Sequence, residues 1–442
     1  YGGAPRDGLF FGRDGRGEPT AFADNWPNRA RWWFPSNDHP SDKAAVRWAV
    51  RVPDGYEVIA NGTFRGVEAA PGGGGGRVWR WESDPEAPIP TYTMVIGVAR
   101  FGERSVGEAA CGHAPAAPSS CADVTVWPLA GDSAYAVERF ARAPDMLDFY
   151  AGLVAPYPYE KLAHVESSTR FGGMENASAI FYSMAPWAAR EMGEGVIAHE
   201  TAHQWFGDAV TPAAWSHLWV SEGFASYFGP LYFRARDGEA AFRDLMEAAR
   251  RAIVQSDATA RPVVHDTTDL FALLDTNNYQ KGAWVLHMLR GLLGDSTFFR
   301  GIRDYYESSA HGTASTDDVR AALEAASGRD LAWFFEQWLY RPGYPRLDVE
   351  WWVEPAPGDG LAASRGTLVA AVRQTQPESW PTFRLPTELD VRPRGGGAPV
   401  RHPVEITGRA DTIRLAVETP VEEVVLDPEG WVLESLAIRR RP

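Results

Sequence analysis

The sequence lacks an excess of positive charge, has almost no cysteine and contains no long apolar run. Its 58 acidic residues outnumber 43 basic ones, which gives a formal net charge of −15. Nucleic acids and anionic lipid surfaces attract clustered Lys and Arg, so the charge balance argues against both as general partners. No stretch approaches the ~18 uninterrupted apolar residues of a membrane span, and we expect none. Two cysteines cannot by themselves build a structural zinc site.

The two cysteines, Cys111 and Cys121, stand ten residues apart in the segment CGHAPAAPSSC. A disulfide between them would close a loop rich in small residues, and the alternative is two free thiols. Disulfides form in oxidising compartments. We therefore expect a periplasmic or extracellular protein, with a cytoplasmic location as the alternative.

The chain is long enough for two or three domains, with 442 residues of which 45% are hydrophobic. Alternating segments and turn signals predict an antiparallel β domain over residues 1–126. Amphipathic helical spacing predicts a mainly α domain over residues 127–343. Strand patterns return with LDVEWWV and GTLVAAVRQ, so residues 344–442 are predicted to form a small β-sandwich.

The segment VIAHETAHQW carries the clearest chemical signal. His199 and His203 are four residues apart, which on a helix places both imidazoles on one face, where they can hold a metal ion. The alternative is a purely structural role, in which two buried histidines donate hydrogen bonds to backbone carbonyls. Zinc in enzymes takes a third protein ligand and keeps one position open, and Glu222, in WVSEGFASYF, can supply it. Glu200 is rotated about 100° from His199, so it suits a general base better than a ligand.

These motifs occur in a recognisable order. H-E-x-x-H followed after 18 residues by Glu is preceded by FGGMENASAI and followed by NNYQKGAW. With RWWFPSNDHPSDKA near the start and RPGYPRLDVEW near the end, nearly the whole chain resembles the aminopeptidase N-like gluzincin family of zinc metallopeptidases, which includes leukotriene hydrolase. The resemblance implies a thermolysin-like catalytic domain between two β domains, a multidomain α+β fold.

The resemblance also implies roles for individual residues. One zinc ion per chain would be held by His199, His203 and Glu222, with Glu200 as the general base. Tyr279 would donate its hydroxyl to the oxyanion of the tetrahedral intermediate. Substrate binding would fall to four consecutive residues: Gly172, Gly173, Met174 and Glu175.

Within that segment, Gly172 and Gly173 would offer an edge for the substrate backbone, and Glu175 would pair with a free α-ammonium group. The implied function is a zinc aminopeptidase acting on peptides with a free N-terminus. We also expect a monomer. The alternatives are a zinc endopeptidase or an epoxide hydrolase on the same site, or a non-catalytic binding protein on this fold.

Two departures from the family pattern raise further expectations. The family's N-terminal β domain has more residues before the equivalent of YGGAPRDGLFF, so we expect this domain to be incomplete or unusually small. We also expect another segment to cover the sheet edge near residues 1–20, since a bare edge invites association.

The second departure concerns amine binding. Trp26 stands where many relatives carry an acidic or amide residue that helps to bind the amine. A cation–π contact from Trp26 or the charge of Asp24 could substitute.

Overall fold

The computed structural model describes residues 3–72, 74–112, 121–129, 131–355, 365–418 and 420–441. Along the chain, antiparallel strands are followed by a mainly helical region and then by a second set of strands. This order confirms the predicted fold class. In the described ranges, none of the helices combines the length and the apolar character that a bilayer span needs.

The N-terminal region consists of short antiparallel strands. They are β1 (Leu9–Arg13), β2 (Pro19–Ala23), β3 (Lys43–Ala44), β4 (Arg47–Val52), β5 (Glu57–Ala60), β6 (Thr63–Ala69), β7 (Arg77–Glu82), β8 (Ile89–Pro90) and β9 (Ile96–Ala99). They pair as β1-β2-β9-β5, β4-β7-β6 and β3-β8. Phe22, Ile59 and Trp81 bury one side of this region against Val165 and Phe181 of the neighbouring sheet. This apolar contact fixes the N-terminal region on the catalytic region.

The outer edge of β1 corrects one expectation. Among the described residues no strand pairs with that edge, and the side chain of Phe11 is 66% exposed. The prediction that another segment covers it was wrong. Alternating polarity predicts that a strand forms but does not indicate which neighbour will shield its free N–H and C=O groups.

A second sheet supports the helices. Its strands are β10 (Arg104–Ala109), β11 (Ala122–Trp127), β12 (Lys161–Ser167), β13 (Gly173–Met174) and β14 (Ala179–Ser183), in the order β10-β11-β12-β14-β13. β11, β12 and β14 run parallel, and β10 and β13 are antiparallel edges. Cys111 and Cys121 form a disulfide between β10 and β11.

The sheet crosses the predicted boundary between residues 126 and 127, because β11 spans that boundary and pairs with β10 on one side and with β12 on the other. Local strand patterns do not show which sheet a strand will join. The three-domain division stays a prediction.

Helices pack on this sheet and on one another. They are α1 (Ser133–Phe140), α2 (Ala143–Leu153), α3 (Met184–Ala189), α4 (Glu194–His203), α5 (Trp219–Asp237), α6 (Glu239–Gln255), α7 (Gly282–Leu293), α8 (Asp295–Ser309), α9 (Thr316–Ser327) and α10 (Ala332–Phe335). β15 (Thr211–Pro212) and β16 (Thr313–Ala314) form a short parallel pair. α4 and α5 lie in the core, and Phe206, Phe224 and Phe228 pack between them. This packing places α5 against the histidine-bearing face of α4.

The C-terminal strands form two facing sheets. The strands are β17 (Arg346–Pro355), β18 (Arg365–Gln374), β19 (Leu385–Pro393), β20 (Val400–Ile406), β21 (Ala410–Glu418), β22 (Val421–Leu426) and β23 (Ser435–Arg440), ordered β21-β18-β17-β23 and β20-β19-β22. In β17, Leu347, Val349 and Trp351 are buried while the residues between them are less so. That alternation is what the sequence LDVEWWV predicts for a half-buried strand.

Candidate active site

Two histidines of α4 converge on one point. Their Nε2 atoms are 3.0 Å apart, as expected for side chains one helical turn apart on the same face. The Nδ1 of His203 lies 2.9 Å from the carbonyl oxygen of Phe206. An N–H at Nδ1 donates to that oxygen, which leaves Nε2 as the ring nitrogen available to a metal ion.

Glu222, in the first turn of α5, completes the cluster. Its Oε2 lies 3.4 Å from Nε2 of His199 and 3.2 Å from Nε2 of His203. Among the described residues this buried oxygen receives no hydrogen bond. Two ring nitrogens and one carboxylate oxygen therefore face one another, an arrangement that a cation stabilises.

Zinc fits this donor set. A tetrahedral ion with bonds of about 2.0–2.1 Å separates its ligand atoms by about 3.3 Å, and the three observed separations, 3.0, 3.2 and 3.4 Å, bracket that value. Two imidazoles and one carboxylate form a ligand set used by catalytic zinc sites. Glu175 and Glu200 also lie near His203, but its Nε2 already belongs to the first group. We therefore assign one metal site to this cluster.

The surrounding charges also favour a cation. Burial lowers the pKa of His203, but the carboxylates of Glu222 and Glu175 outweigh that effect and raise it to about 10. Burial raises the pKa of Glu222, yet His203 and His199 hold it well below its ordinary value. Burial also raises the pKa of Glu200 well above its ordinary value. Carboxylates this close together in the interior need positive charge among them.

Glu200 lies beside the same cluster, against Gly173. A Cβ atom at Gly173 would fall 2.2 Å from Oε1 of Glu200, whereas one at Gly172 would meet nothing within 4 Å. The two glycines therefore differ: Gly173 makes room for the carboxylate of Glu200, and Gly172 opens to the cavity. β13 ends the sheet, so Gly173 and Met174 also leave one strand edge unpaired within the described residues.

Glu175 follows β13, and the side chains of Gln204 and Tyr92 lie beside it. The side-chain amide of Gln204 donates to its carbonyl oxygen at 3.3 Å. The hydroxyl of Tyr92 lies beside its carboxylate and donates to the carbonyl of Gly207 at 3.2 Å. Burial raises the pKa of Glu175, and His203 partly opposes the shift.

Tyr279 lies in a short π-helical segment, Asn277–Lys281, and its ring is parallel to that of His199 at a centroid distance of 5.9 Å. Single π-helical turns are common at functional sites. Burial, together with the nearby carboxylate of Glu222, raises the pKa of Tyr279 well above its ordinary value. The hydroxyl therefore keeps its proton and can act as a hydrogen-bond donor.

Known proteins are similar to this chain in sequence. A model of the Peptidase family M1 domain matches residues 138–338, which include the metal ligands, Glu175 and Tyr279. Aminopeptidase N of Streptomyces lividans is 30% identical over 79% of this chain and 40% of its own length. Tricorn protease-interacting factor F2 of Thermoplasma volcanium is 30% identical over 72% of this chain and 40% of its own length.

The chain belongs to the aminopeptidase N-like gluzincin family. It spans about 40% of the length of these curated relatives. An M1 zinc metallopeptidase of Deinococcus radiodurans has a similar fold, with a TM-score of 0.62 and 24% identity over 74% of this chain and 71% of the other.

The gluzincin site opens into a cavity of about 400 Å³. Apolar side chains form one wall (Trp26, Phe171, Met174 and Leu274), and the residues assigned to metal binding, Glu200, Glu175 and Tyr279 form the other. All nine residues assigned from the sequence therefore border one cavity: Gly172, Gly173, Met174, Glu175, His199, Glu200, His203, Glu222 and Tyr279.

Trp26 lies in the apolar wall, and Asp24 does not reach it. Trp26 packs edge-to-face against Phe171, Trp215 and Phe271. The carboxylate of Asp24 is buried and forms an ion pair with Arg29. Its charge is therefore already neutralised, and of the two substitutes expected for the missing acidic residue, only Trp26 borders the cavity.

Sequence reasoning missed three residues that support the gluzincin site. Gln204 donates to the backbone of Glu175, Tyr92 lies beside the Glu175 carboxylate, and the buried Asp208 accepts a hydrogen bond from Gln204 at 2.9 Å. The position of Gln204 directly after His203 was the only local signal. The partners of Gln204 and Tyr92 lie far away along the chain, so their roles follow from tertiary packing.

Proposed function

We propose that this chain is a zinc aminopeptidase that hydrolyses the first peptide bond of peptides with a free N-terminus. One observation carries the proposal: the buried carboxylate of Glu175 borders the same cavity as His199, His203 and Glu222. A carboxylate there can pair with an α-ammonium group while the adjacent carbonyl lies at the metal ligands. That pairing distinguishes removal of a terminal residue from cleavage within a chain.

The chain's own residues supply the remaining steps. When bound, zinc polarises the scissile carbonyl and lowers the pKa of water. Glu200 accepts a proton from the attacking water and passes it to the leaving amine. The hydroxyl of Tyr279 donates to the oxyanion of the tetrahedral intermediate. The open edge at Gly172 and Gly173 pairs with the substrate backbone and keeps it in register.

The same site would also suit an endopeptidase or an epoxide hydrolase, in which binding of the amine is not required. Leucine p-nitroanilide and its N-acetylated form separate these activities. We expect the free amine to be hydrolysed at least ~10²-fold faster, since the acetylated substrate leaves Glu175 buried without a partner. Equal turnover of the two substrates would exclude an aminopeptidase.

Metal analysis with Glu200→Gln tests the catalytic assignment. We expect the purified parent to contain one zinc ion per chain, and the variant to keep it while losing at least ~10³-fold in turnover. Glu222→Gln serves as the matched control, because the same change at a ligand should reduce zinc content. Normal turnover in Glu200→Gln would exclude Glu200 as the base, and a non-catalytic protein would hydrolyse neither substrate.

Location and assembly are part of the proposal. The Cys111–Cys121 disulfide supports an oxidising compartment outside the cytoplasm. Fractionation of the native host tests it. The predicted monomer stays a prediction, which sedimentation analysis of the zinc-loaded protein tests.

A further inference from the structure

A second cavity adjoins the one that holds the catalytic residues. Its volume is about 370 Å³, and it lies between α4, α5, α6 and α7. Four residues border both cavities: Gly195, His199, Ser226 and Gln280. The two spaces therefore adjoin at His199. We call the second one the α6 groove.

The α6 groove is apolar and lined by small side chains. Among the described residues, no Asp, Glu, Lys or Arg borders it. One wall is the face of α6 that carries Leu245, Ala248, Ala249 and Ala252. Leu245 is 40% exposed, so this face has open apolar surface beside the site.

The floor of the groove offers two further features. Gly195 is one helical turn before His199, and a Cβ there would meet nothing within 4 Å. Gly195 therefore leaves free space at the boundary between the two cavities. Pro230 in α5 has no N–H to donate to the carbonyl of Ser226, four residues earlier. That carbonyl therefore lacks its usual helical donor, and Ser226 borders both cavities.

We propose that the α6 groove binds the residue following the scissile bond and selects an apolar side chain there. The proposal rests on the proposed aminopeptidase function. Glu175 and the apolar wall that contains Trp26 border the first cavity only. A substrate held there by its amine would therefore extend past His199 towards α6. An apolar side chain would exchange water for apolar contacts, whereas a charged one would lose its hydration without a partner.

A set of substrates with the same first residue tests the proposal. Leucinamide has no second side chain, and Leu-Leu-amide, Leu-Lys-amide and Leu-Glu-amide differ only in that side chain. We expect kcat/KM for Leu-Leu-amide to exceed that for each charged dipeptide amide about tenfold or more. Comparable values for the three would overturn the proposal.

Substitutions on one helix test the location. Ala249→Glu places a carboxylate in the groove and is expected to lower the preference for Leu-Leu-amide over Leu-Lys-amide at least about tenfold. Ala240→Glu is the matched control, because Ala240 is an exposed residue of α6 outside the groove; its preference should match the parent's. Ala252→Glu, at an exposed position of the groove, replaces Ala249→Glu if that variant does not fold.

The outcomes separate the two proposals. Hydrolysis of leucinamide without an apolar preference, or folded groove variants with the parent's preference, would overturn the groove assignment alone. Failure of the zinc-loaded parent to hydrolyse either leucinamide or the dipeptide amides would refute the aminopeptidase function, and the groove assignment with it.

Discussion

Gln204 donates a hydrogen bond from its side-chain amide to the carbonyl oxygen of Glu175 at 3.3 Å. Its Oε1 accepts from the backbone N–H of Ser178 at 2.8 Å. The helix that carries both histidines is thereby tied to both ends of the segment that carries Glu175. Metal binding and amine binding are thus held in one geometry, since His203 and Gln204 are consecutive residues.

Replacing Gln204 should weaken amine recognition more than chemistry. Gln204→Met keeps the side-chain length but removes these two hydrogen bonds and the one to Asp208, which lets Glu175 shift. We expect KM for leucine p-nitroanilide to rise about tenfold, with kcat changing less than threefold and zinc content unchanged. Steady-state kinetics and metal analysis check this expectation.

Gln337→Met is the matched control for that change. Gln337 donates to the carbonyl of Arg384 at 3.0 Å and accepts from its N–H at 2.9 Å, away from the site. Both variants should lose free energy of unfolding, about 1–3 kcal/mol for Gln337→Met and more for Gln204→Met, which also removes a donor to the buried Asp208. A rise in KM in both would show that the effect of Gln204→Met reflects general destabilisation.

Removing the hydroxyl of Tyr279 should slow turnover without loss of metal. Tyr279→Phe leaves the ring beside His199 but removes a donor to the oxyanion. We expect kcat to fall about 10²-fold to 10³-fold, with KM nearly unchanged. Tyr227→Phe is the control. Tyr227 is buried, its hydroxyl lies beside His287 and Arg290, and it does not border the cavity that contains Tyr279. An unchanged kcat in Tyr279→Phe would remove Tyr279 from the mechanism.

A carboxylate at position 26 should strengthen amine recognition. Trp26→Glu adds a carboxylate to the cavity that Glu175 borders, and charge-assisted hydrogen bonds to an ammonium group are strong. We expect the preference for leucine p-nitroanilide over its N-acetylated form to increase about tenfold, at some expense of stability from the lost aromatic contacts. Trp26→Gln separates charge from polarity: an equal gain in both variants would contradict an electrostatic origin.

Glu166, remote from the metal ligands in sequence, should make stability depend on pH. Burial raises its pKa from 4.5 to about 8, and the nearby carboxylates of Asp132 and Asp14 add to the shift. The hydrogen bond from the N–H of Leu129 and the charge of Arg190 oppose it. The folded protein therefore keeps a proton that the unfolded chain releases above pH 4.5. Stability from this group falls as pH rises towards 8.

Glu166→Gln removes that dependence. We expect the variant to unfold at higher urea concentration than the parent at pH 8, and the difference to vanish near pH 4. Other titrating groups contribute equally to both proteins, so the difference isolates Glu166. Glu191→Gln, at an exposed position, should give no such pH-dependent difference. A constant difference between pH 5 and pH 8 would contradict the assignment.

The sequence by itself determined the local chemistry. The four-residue spacing of His199 and His203 follows from the helical repeat, and the alternation in β17 follows from the geometry of a strand. Because these periods depend on the backbone alone, the metal ligands, Glu200 and the order of secondary structure could be predicted from residue types and positions. The family resemblance added Glu175 and Tyr279, which spacing did not reveal.

Only the tertiary structure decided which distant groups meet. It placed β10 and β11 in the catalytic sheet and left the outer edge of β1 unpaired in the described residues. It also neutralised Asp24 with Arg29 and placed Glu175 beside Gln204 and Tyr92. It also opened the α6 groove beside His199. These outcomes depend on contacts between segments far apart along the chain. Local periodicity does not predict them. A buried polar side chain needs a hydrogen-bond or charge partner, and that partner comes from whichever distant segment packs against it in the folded chain.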